Sequence, residues 1–244
     1  MSGALLISDL HLAPERPDAS ERFFRFLRGE AARAEALYIL GDLFEYWIGD
    51  DALDDPAHEP LGREVAGRLR ALSRSGVTVF LMRGNRDFLL GARFCAEAGA
   101  VMLEDPARAA PAGHPVVLLH GDTLCTDDHD YQAWRRTARS SEWQRDFLAR
   151  PLEERRRIVL GLREKSMAVV RAKPPEIMDA NEGAVREAFR AHGVSRMIHG
   201  HTHRPARHEH DVDGRHCERW VLPDWYGRGG YLEVDRRGAR LVRF

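Results

Sequence analysis

Five short apolar runs punctuate the chain: "ALLIS" (4–8), "ALYIL" (36–40), "VTVFLM" (77–82), "VVLLH" (116–120) and "RMIHG" (196–200). They are too short for helices and mostly branched or aromatic, which predicts buried strands. Helical patterns lie between them at about 20–34, 59–74, 88–98 and 180–192. This alternation predicts a layered α/β architecture. After residue 205, "HCERWVL", "GYLEV" and "RLVRF" read as short antiparallel strands separated by Gly, Pro and Asp turns. Residues 129–173 break the rhythm. They are helical in pattern and sit between two strands, and a connection that long needs structure of its own. We read residues 1–244 as a single domain with a helical insertion at 129–173.

The residues that follow the strands carry the chemistry. Asp9 and His11 follow the first strand, Gly41-Asp42 the second, and Gly84-Asn85-Arg86-Asp87 the third. His120-Gly121-Asp122 ends the fourth, and His199-Gly200-His201-Thr202-His203 ends the fifth. In α/β sheets, ligands bind beyond the carboxyl ends of the strands. A lone Asp there is usually a turn residue, and a lone His usually has a structural role. Five strand ends carrying Asp, His and Asn point to a metal site. Carboxylate, imidazole and amide oxygen without thiolate suit Mn²⁺, Fe²⁺, Co²⁺ or Zn²⁺. Six or seven ligands suit two ions with one bridging carboxylate. Two such ions attract an anionic substrate and acidify water, which is the chemistry of phosphate-ester or anhydride hydrolysis. Spacing alone does not choose among His199, His201 and His203, since alternate residues share one face of a continuing strand.

Composition narrows the partners. The chain has 244 residues, 43% apolar and 31% charged, with a net charge of -1, so it is no polycation built for nucleic acid. Cys95, Cys125 and Cys217 are too few and scattered for a disulfide framework. They suit a reducing compartment and read as small buried hydrophobes. No signal peptide or membrane span is visible, and nothing indicates an obligate protein partner. Charge is uneven, however. Between Trp134 and Lys173, twelve Lys or Arg stand against five Asp or Glu, a net of +7. The insertion also holds Trp134, Trp143, Phe147, Ile158, Val159 and Leu162, and it contains both lysines of the chain, Lys165 and Lys173. That is a basic, apolar-rich helical cap, which taken alone could be a plain subdomain with a solvated basic face.

The series D-x-H, G-D, G-N, H-G-D and G-H-T-H, spanning residues 5–204, resembles the calcineurin-like metallophosphoesterases. The implied fold is an α/β/β/α sandwich of two packed mixed sheets with a helical insertion cap. The longer runs "ISDLHL", "YILGDLFEYWIGDD", "RGNRDFLLG", "LLHGDTLCTDD" and "IHGHTHRP" are similar to the UDP-2,3-diacylglucosamine hydrolases of lipid A biosynthesis. That resemblance implies two Mn²⁺ per chain. Asp9, His11, Asp42 and His203 would hold one, and Asp42, Asn85, His120 and His201 the other. It implies water attack at the α-phosphorus of UDP-2,3-diacylglucosamine, releasing UMP and 2,3-diacylglucosamine 1-phosphate (lipid X).

Asp42, Asn85, Arg86 and His120 would be the catalytic residues. Many relatives place a His where Arg86 stands. An Arg cannot donate a proton at neutral pH but binds phosphate well. A phosphomonoester, with a second pKa of about 6, departs without an acid. The matching substrate positions are Asn85, Arg86, Asp128, Ser166, Lys173 and His201, with Tyr131 and Arg163 as further contacts. Val170 stands where the family pattern has an Asn. The basic, apolar cap would take the acyl chains and meet an anionic inner-membrane surface, placing the protein peripherally on its cytoplasmic side. Two other readings remain: a nucleotide-polyphosphate hydrolase or phosphodiesterase of the same superfamily, which needs no apolar cap, and a non-catalytic scaffold, which usually loses ligands that are all present here.

Overall fold

A computed structural model describes residues 3–55 and 59–244; at 164–172 and 175 only the backbone is described. In chain order the elements are β1 (Ala4–Ile7), α1 (Pro17–Arg28), β2 (Ala36–Leu40), α2 (Pro60–Arg74), β3 (Thr78–Met82), α3 (Ala92–Ala98), β4 (Ala100–Leu103), β5 (Ala107–Ala109) and β6 (Val116–Leu118). There follow α4 (His129–Ala138), α5 (Ser141–Leu148), α6 (Leu152–Ala172), α7 (Glu182–His192), β7 (Arg196–His199), β8 (Arg207–Val212), β9 (Arg215–Val221), β10 (Gly230–Asp235) and β11 (Gly238–Arg243).

The strands form two mixed sheets, ordered β11-β10-β1-β2-β3-β4 and β5-β6-β7-β9-β8. Side chains of a strand alternate between faces, and here both faces are covered. Leu5 and Ile7 of β1 pack with Phe23 and Phe26 of α1 and Leu69 of α2. Their neighbours Ala4 and Leu6 face the second sheet, meeting Leu118, Ile198 and Trp220. The outer face of the second sheet packs Met197 and Cys217 against Val185 and Phe189 of α7. The result is helix, sheet, sheet, helix. Burial on both faces is why the strands read as continuous apolar runs.

All five expected strands are present, as are the three later ones, and α4–α6 occupy the insertion between β6 and β7. Three expectations need correction. The helix expected at 20–34 ends at Arg28, because Gly29 breaks it and a separate helical turn follows at Ala31–Arg33. The helix expected at 88–98 begins only at Ala92. Strands β4 and β5 were not anticipated; both are short edge strands with partly exposed side chains. Among the described residues, no helix is long and apolar enough to cross a membrane.

Candidate metal centre and catalytic pocket

β1, β2 and β3 run parallel in one sheet, and β6 and β7 run parallel in the other. The loops leaving these five strands meet at one seam between the sheets. The His201 backbone N–H donates to Asp9, at 2.9 and 3.1 Å to its two oxygens, and the Gly200 N–H donates to the His120 carbonyl at 2.8 Å. Asp9, His11, Asp42, His201 and His203 all have φ between 50 and 65°. These are five of the seven non-glycine residues with positive φ among the described residues. Each such residue costs about 1–3 kcal/mol and persists only when its surroundings hold it. The positive φ values turn the chain away from the strand direction at each of these positions. Glycine is required where the loops touch: a Cβ at Gly84 would stand 2.0 Å from Asp42 Oδ1, and one at Gly200 2.2 Å from Asp9 Oδ2.

The side chains converge in two overlapping groups, Asp9/His11/His203 and Asp9/Asp42/His120, each with donor atoms within 4.8 Å of one another. His120 Nδ1–H donates to the Leu40 carbonyl at 2.9 Å, and its Nε2 lies 2.8 Å from Asn85 Oδ1. His201 Nδ1 reaches the same oxygen at 2.8 Å. His11 Nε2 is buried, has no hydrogen-bond partner, and stands 3.7 Å from Asp42 Oδ2. These electron-pair donors gathered around two buried carboxylates fit divalent cations. The buried carboxylates set up a field that favours positive charge. Burial opposes charge on His120, but Asp42, Asp122 and Asp9 outweigh it and lift its pKa to about 9. Burial likewise opposes ionisation of Asp9, yet His203, His120 and His11 hold its pKa well below the usual range. For His201, burial and the neighbouring His120 lower the pKa to about 4.

A second ring of residues orients the first. Glu45, buried, lies 3.2 Å from His11 Nδ1 and accepts from Arg163 Nε at 3.1 Å and Tyr226 Oη at 3.0 Å. The Tyr226 ring stacks on His11 at 4.7 Å. Despite burial, His11, Arg86 and Arg163 bring the Glu45 pKa down to about 2. Asp122 accepts from Tyr131 Oη at 2.6 Å and Arg135 Nε at 2.8 Å, both on α4. Asp87 accepts from the backbone N–H groups of Asp42, Leu43, Phe44 and Gly84, tying the β2 and β3 loops together. Burial and the charge of Asp42 push its pKa up to about 6. Arg139 Nη2 donates to the Gly84 carbonyl at 2.9 Å.

Beside the metal centre lies a cavity of about 330 Å³. Asn85, Arg86, Asp128, Tyr131, Arg163 and Lys173 all line it. The rest of its wall includes Trp47, Phe88, Trp134, Trp143, Val159 and Leu162. Asp128 pairs with Lys173 Nζ at 2.6 and 2.7 Å and also caps α4 through the Tyr131 N–H. Tyr131 and Arg163 present ring and stem to the cavity, because their polar ends are engaged by Asp122 and Glu45. The side chains of Ser166 and Val170 lie outside the described residues.

Residues 4–205 match the calcineurin-like phosphoesterase family. The chain is 49% identical over 239 residues to the UDP-2,3-diacylglucosamine hydrolase of Aromatoleum aromaticum, covering 98% of this chain and 96% of that protein. It is 50% identical over 242 residues to the enzyme of that name from Azotobacter vinelandii, and 47% over 242 residues to that of Pseudomonas aeruginosa, covering 98% of both chains in each case. The chain belongs to the UDP-2,3-diacylglucosamine hydrolases of the calcineurin-like phosphoesterase family.

The seven residues that the family resemblance names as ligands, Asp9, His11, Asp42, Asn85, His120, His201 and His203, all converge on the seam. His199 does not join them. Its ring is buried, with Nδ1–H donating to the Gly200 carbonyl at 2.9 Å. Glu45, Asp87 and Asp122 had no assigned role from sequence. Each is an acid within three residues of a ligand, and that proximity was the available signal.

Proposed function

We propose that this chain hydrolyses the pyrophosphate bond of UDP-2,3-diacylglucosamine at the α-phosphorus, giving UMP and 2,3-diacylglucosamine 1-phosphate in lipid A biosynthesis. The carrying observation is the single cavity that joins Asn85 and Arg86 to the apolar wall of Trp134, Trp143, Val159 and Leu162. One end suits a pyrophosphate, the other an acyl chain. A nucleotide-polyphosphate hydrolase has no use for the second end.

Asp9, His11, Asp42 and His203 would hold one Mn²⁺, and Asp42, Asn85, His120 and His201 a second, with Asp42 shared. Bound divalent ions supply positive charge that neutralises phosphoryl oxygens and acidifies water. Arg86 offers a planar, permanently charged donor to the phosphate. No group needs to protonate the leaving lipid phosphate, because a phosphomonoester departs as an anion. Asp128 and Lys173 form the polar rim of the cavity near the sugar, where Ser166 is a further proposed contact. Tyr131 and Arg163 shape the wall and brace the carboxylates behind the ligands.

Residues 129–173 act as a lipid-binding cap on one catalytic domain. Trp134, Leu148 and Leu160 are exposed on it, alongside its excess of arginine. These features support peripheral binding at the cytoplasmic face of the bacterial inner membrane. Cosedimentation with anionic vesicles at low salt tests this; a protein that stays in the supernatant overturns it. The decisive assay compares Mn²⁺-dependent UMP release from UDP-2,3-diacylglucosamine, UDP-glucosamine and a dinucleoside polyphosphate, with ¹⁸O-water placing the label in UMP. Equal turnover of the unacylated sugar, or label in the lipid product, overturns the proposal.

A further inference from the structure

Behind the seam, on the α7 side of the second sheet, a row of polar side chains crosses three adjacent strands: His199 on β7, Arg219 on β9 and His210 on β8. They are nearly or fully excluded from solvent, Arg219 with 7% of its surface exposed. Arg219 Nη1 lies 3.1 Å from His199 Nε2, and Arg219 Nε lies 3.3 Å from His210 Nε2. No carboxylate among the described residues stands within ion-pair distance of Arg219. A guanidinium has only donors. Both imidazoles must therefore present lone pairs at Nε2 and carry their proton at Nδ1. The other side of each ring fits this requirement independently. His199 Nδ1 faces the Gly200 carbonyl at 2.9 Å, and His210 Nδ1 faces Glu182 Oε1 at 3.1 Å, both acceptors. The chain of donors thus runs outward in both directions from Arg219, with every tautomer fixed.

We propose that Arg219 is a positioning residue for the metal centre: by donating to His199 it holds that ring as the neutral Nδ1–H tautomer, which pins the Gly200 carbonyl and the turn presenting His201 and His203. The same carbonyl accepts the Thr202 N–H at 2.8 Å, so it is the hub of that turn. Arg219 also removes His199 from competition for metal, since its free lone pair is occupied and points toward β9. This inference rests on the proposed metal reading of His201 and His203.

The test uses the full chain with ¹⁵N-labelled histidine, free of metal, and reads the ring tautomers by long-range ¹H–¹⁵N correlation. We expect His199 and His210 as neutral Nδ1–H forms, and loss of that signature at His199 in Arg219→Met. Finding the Nε2–H or protonated form of His199 in the parent overturns the proposal. Mn²⁺ titration of the parent, Arg219→Met and Arg219→Lys is the second arm. We expect 10–100-fold weaker binding in Arg219→Met, partly restored by Lys. A folded Arg219→Met that melts at lower temperature yet binds Mn²⁺ as tightly as the parent also overturns it, because that is a merely structural effect. If Arg219→Met does not fold, Arg219→Lys and the parent spectrum decide. A parent that takes up no Mn²⁺ sinks the metal reading, and the tautomer spectrum still judges Arg219.

Discussion

Arg163 donates to Glu45 at 3.1 Å across 118 positions of sequence, joining α6 to the residue beside His11. The cap and the seam therefore share a hydrogen bond behind a proposed ligand. Partners that orient a metal-bound imidazole typically contribute 10–100-fold in affinity or activity. We expect Glu45→Gln and Arg163→Met each to weaken Mn²⁺ binding by about tenfold or more. The double variant should be little worse than Glu45→Gln, because the two act through one contact. A double-mutant cycle on Mn²⁺ affinity measures this, and additive losses would sink the coupling.

Removing the ions should abolish UMP release, and Mn²⁺ should restore it. Asp42→Ala and His120→Ala should remain inactive at any Mn²⁺ concentration. Gly84→Ala provides a steric version of the same experiment. Its Cβ would meet Asp42 Oδ1 at 2.0 Å and the Asp42 backbone nitrogen at 2.3 Å. We expect loss of Mn²⁺ uptake with a destabilisation of about 2 kcal/mol or more, read by titration and by urea unfolding. Undiminished activity in either ligand variant refutes the assignment.

Trp143 stacks on Phe147 at 4.9 Å, meets Trp134 edge-on at 5.6 Å, and lines the cavity. Burying a large apolar side chain contributes roughly 1.5–3 kcal/mol. We expect Trp143→Ala to lower kcat/KM for the acylated substrate by about 10–100-fold. Slow turnover of UDP-glucosamine should change little. Steady-state kinetics on both substrates check this; equal losses on both would place Trp143 in the scaffold only.

His199 gives the fold a pH dependence of predictable sign. Burial, then Arg219, depresses its pKa to about 3 from the usual 6.5. In the unfolded chain it takes up a proton below about 6.5; in the fold it does not. Its contribution is therefore complete above pH 6.5 and falls away as pH drops toward 3. The slope is about 1.4 kcal/mol per pH unit within that window. Urea unfolding of metal-free parent and His199→Asn at pH 7 and pH 5 should show the parent losing about 1–2 kcal/mol more. Parallel losses would contradict a neutral buried ring.

The architecture was legible because β1, β2, β3, β6 and β7 are apolar on both faces, a pattern strands this short adopt only between two layers. β4 and β5 escaped notice because edge strands have no such requirement, and Val101 of β4 is half exposed. The proposed ligands were legible as short motifs after strands. Their geometry was not. Alternation would put His199, His201 and His203 on one face, whereas positive φ at His201 and His203 turns the chain and separates them from His199. Glu45, Asp87, Asp122 and Arg219 were illegible for a related reason. Acids after strands are common, and an arginine on a strand is ordinarily a surface residue. Only the folded turns and the packing of α7 decide which of them face inward.

The seam also sets a timetable for synthesis. β1 lies between β2 and β10, with Ala4 opposite both Ala36 and Val234. Asp9 leaves β1, and its carboxylate is held by the backbone of His201. On a ribosome, the first proposed ligand to emerge must wait for nearly two hundred further residues before its partners exist, and its strand keeps an open edge until β10 arrives. Contacts so distant in sequence make folding slow. A nascent chain stalled before His201 lacks the backbone that holds the Asp9 carboxylate, so the seam closes only after almost the whole polypeptide has been released.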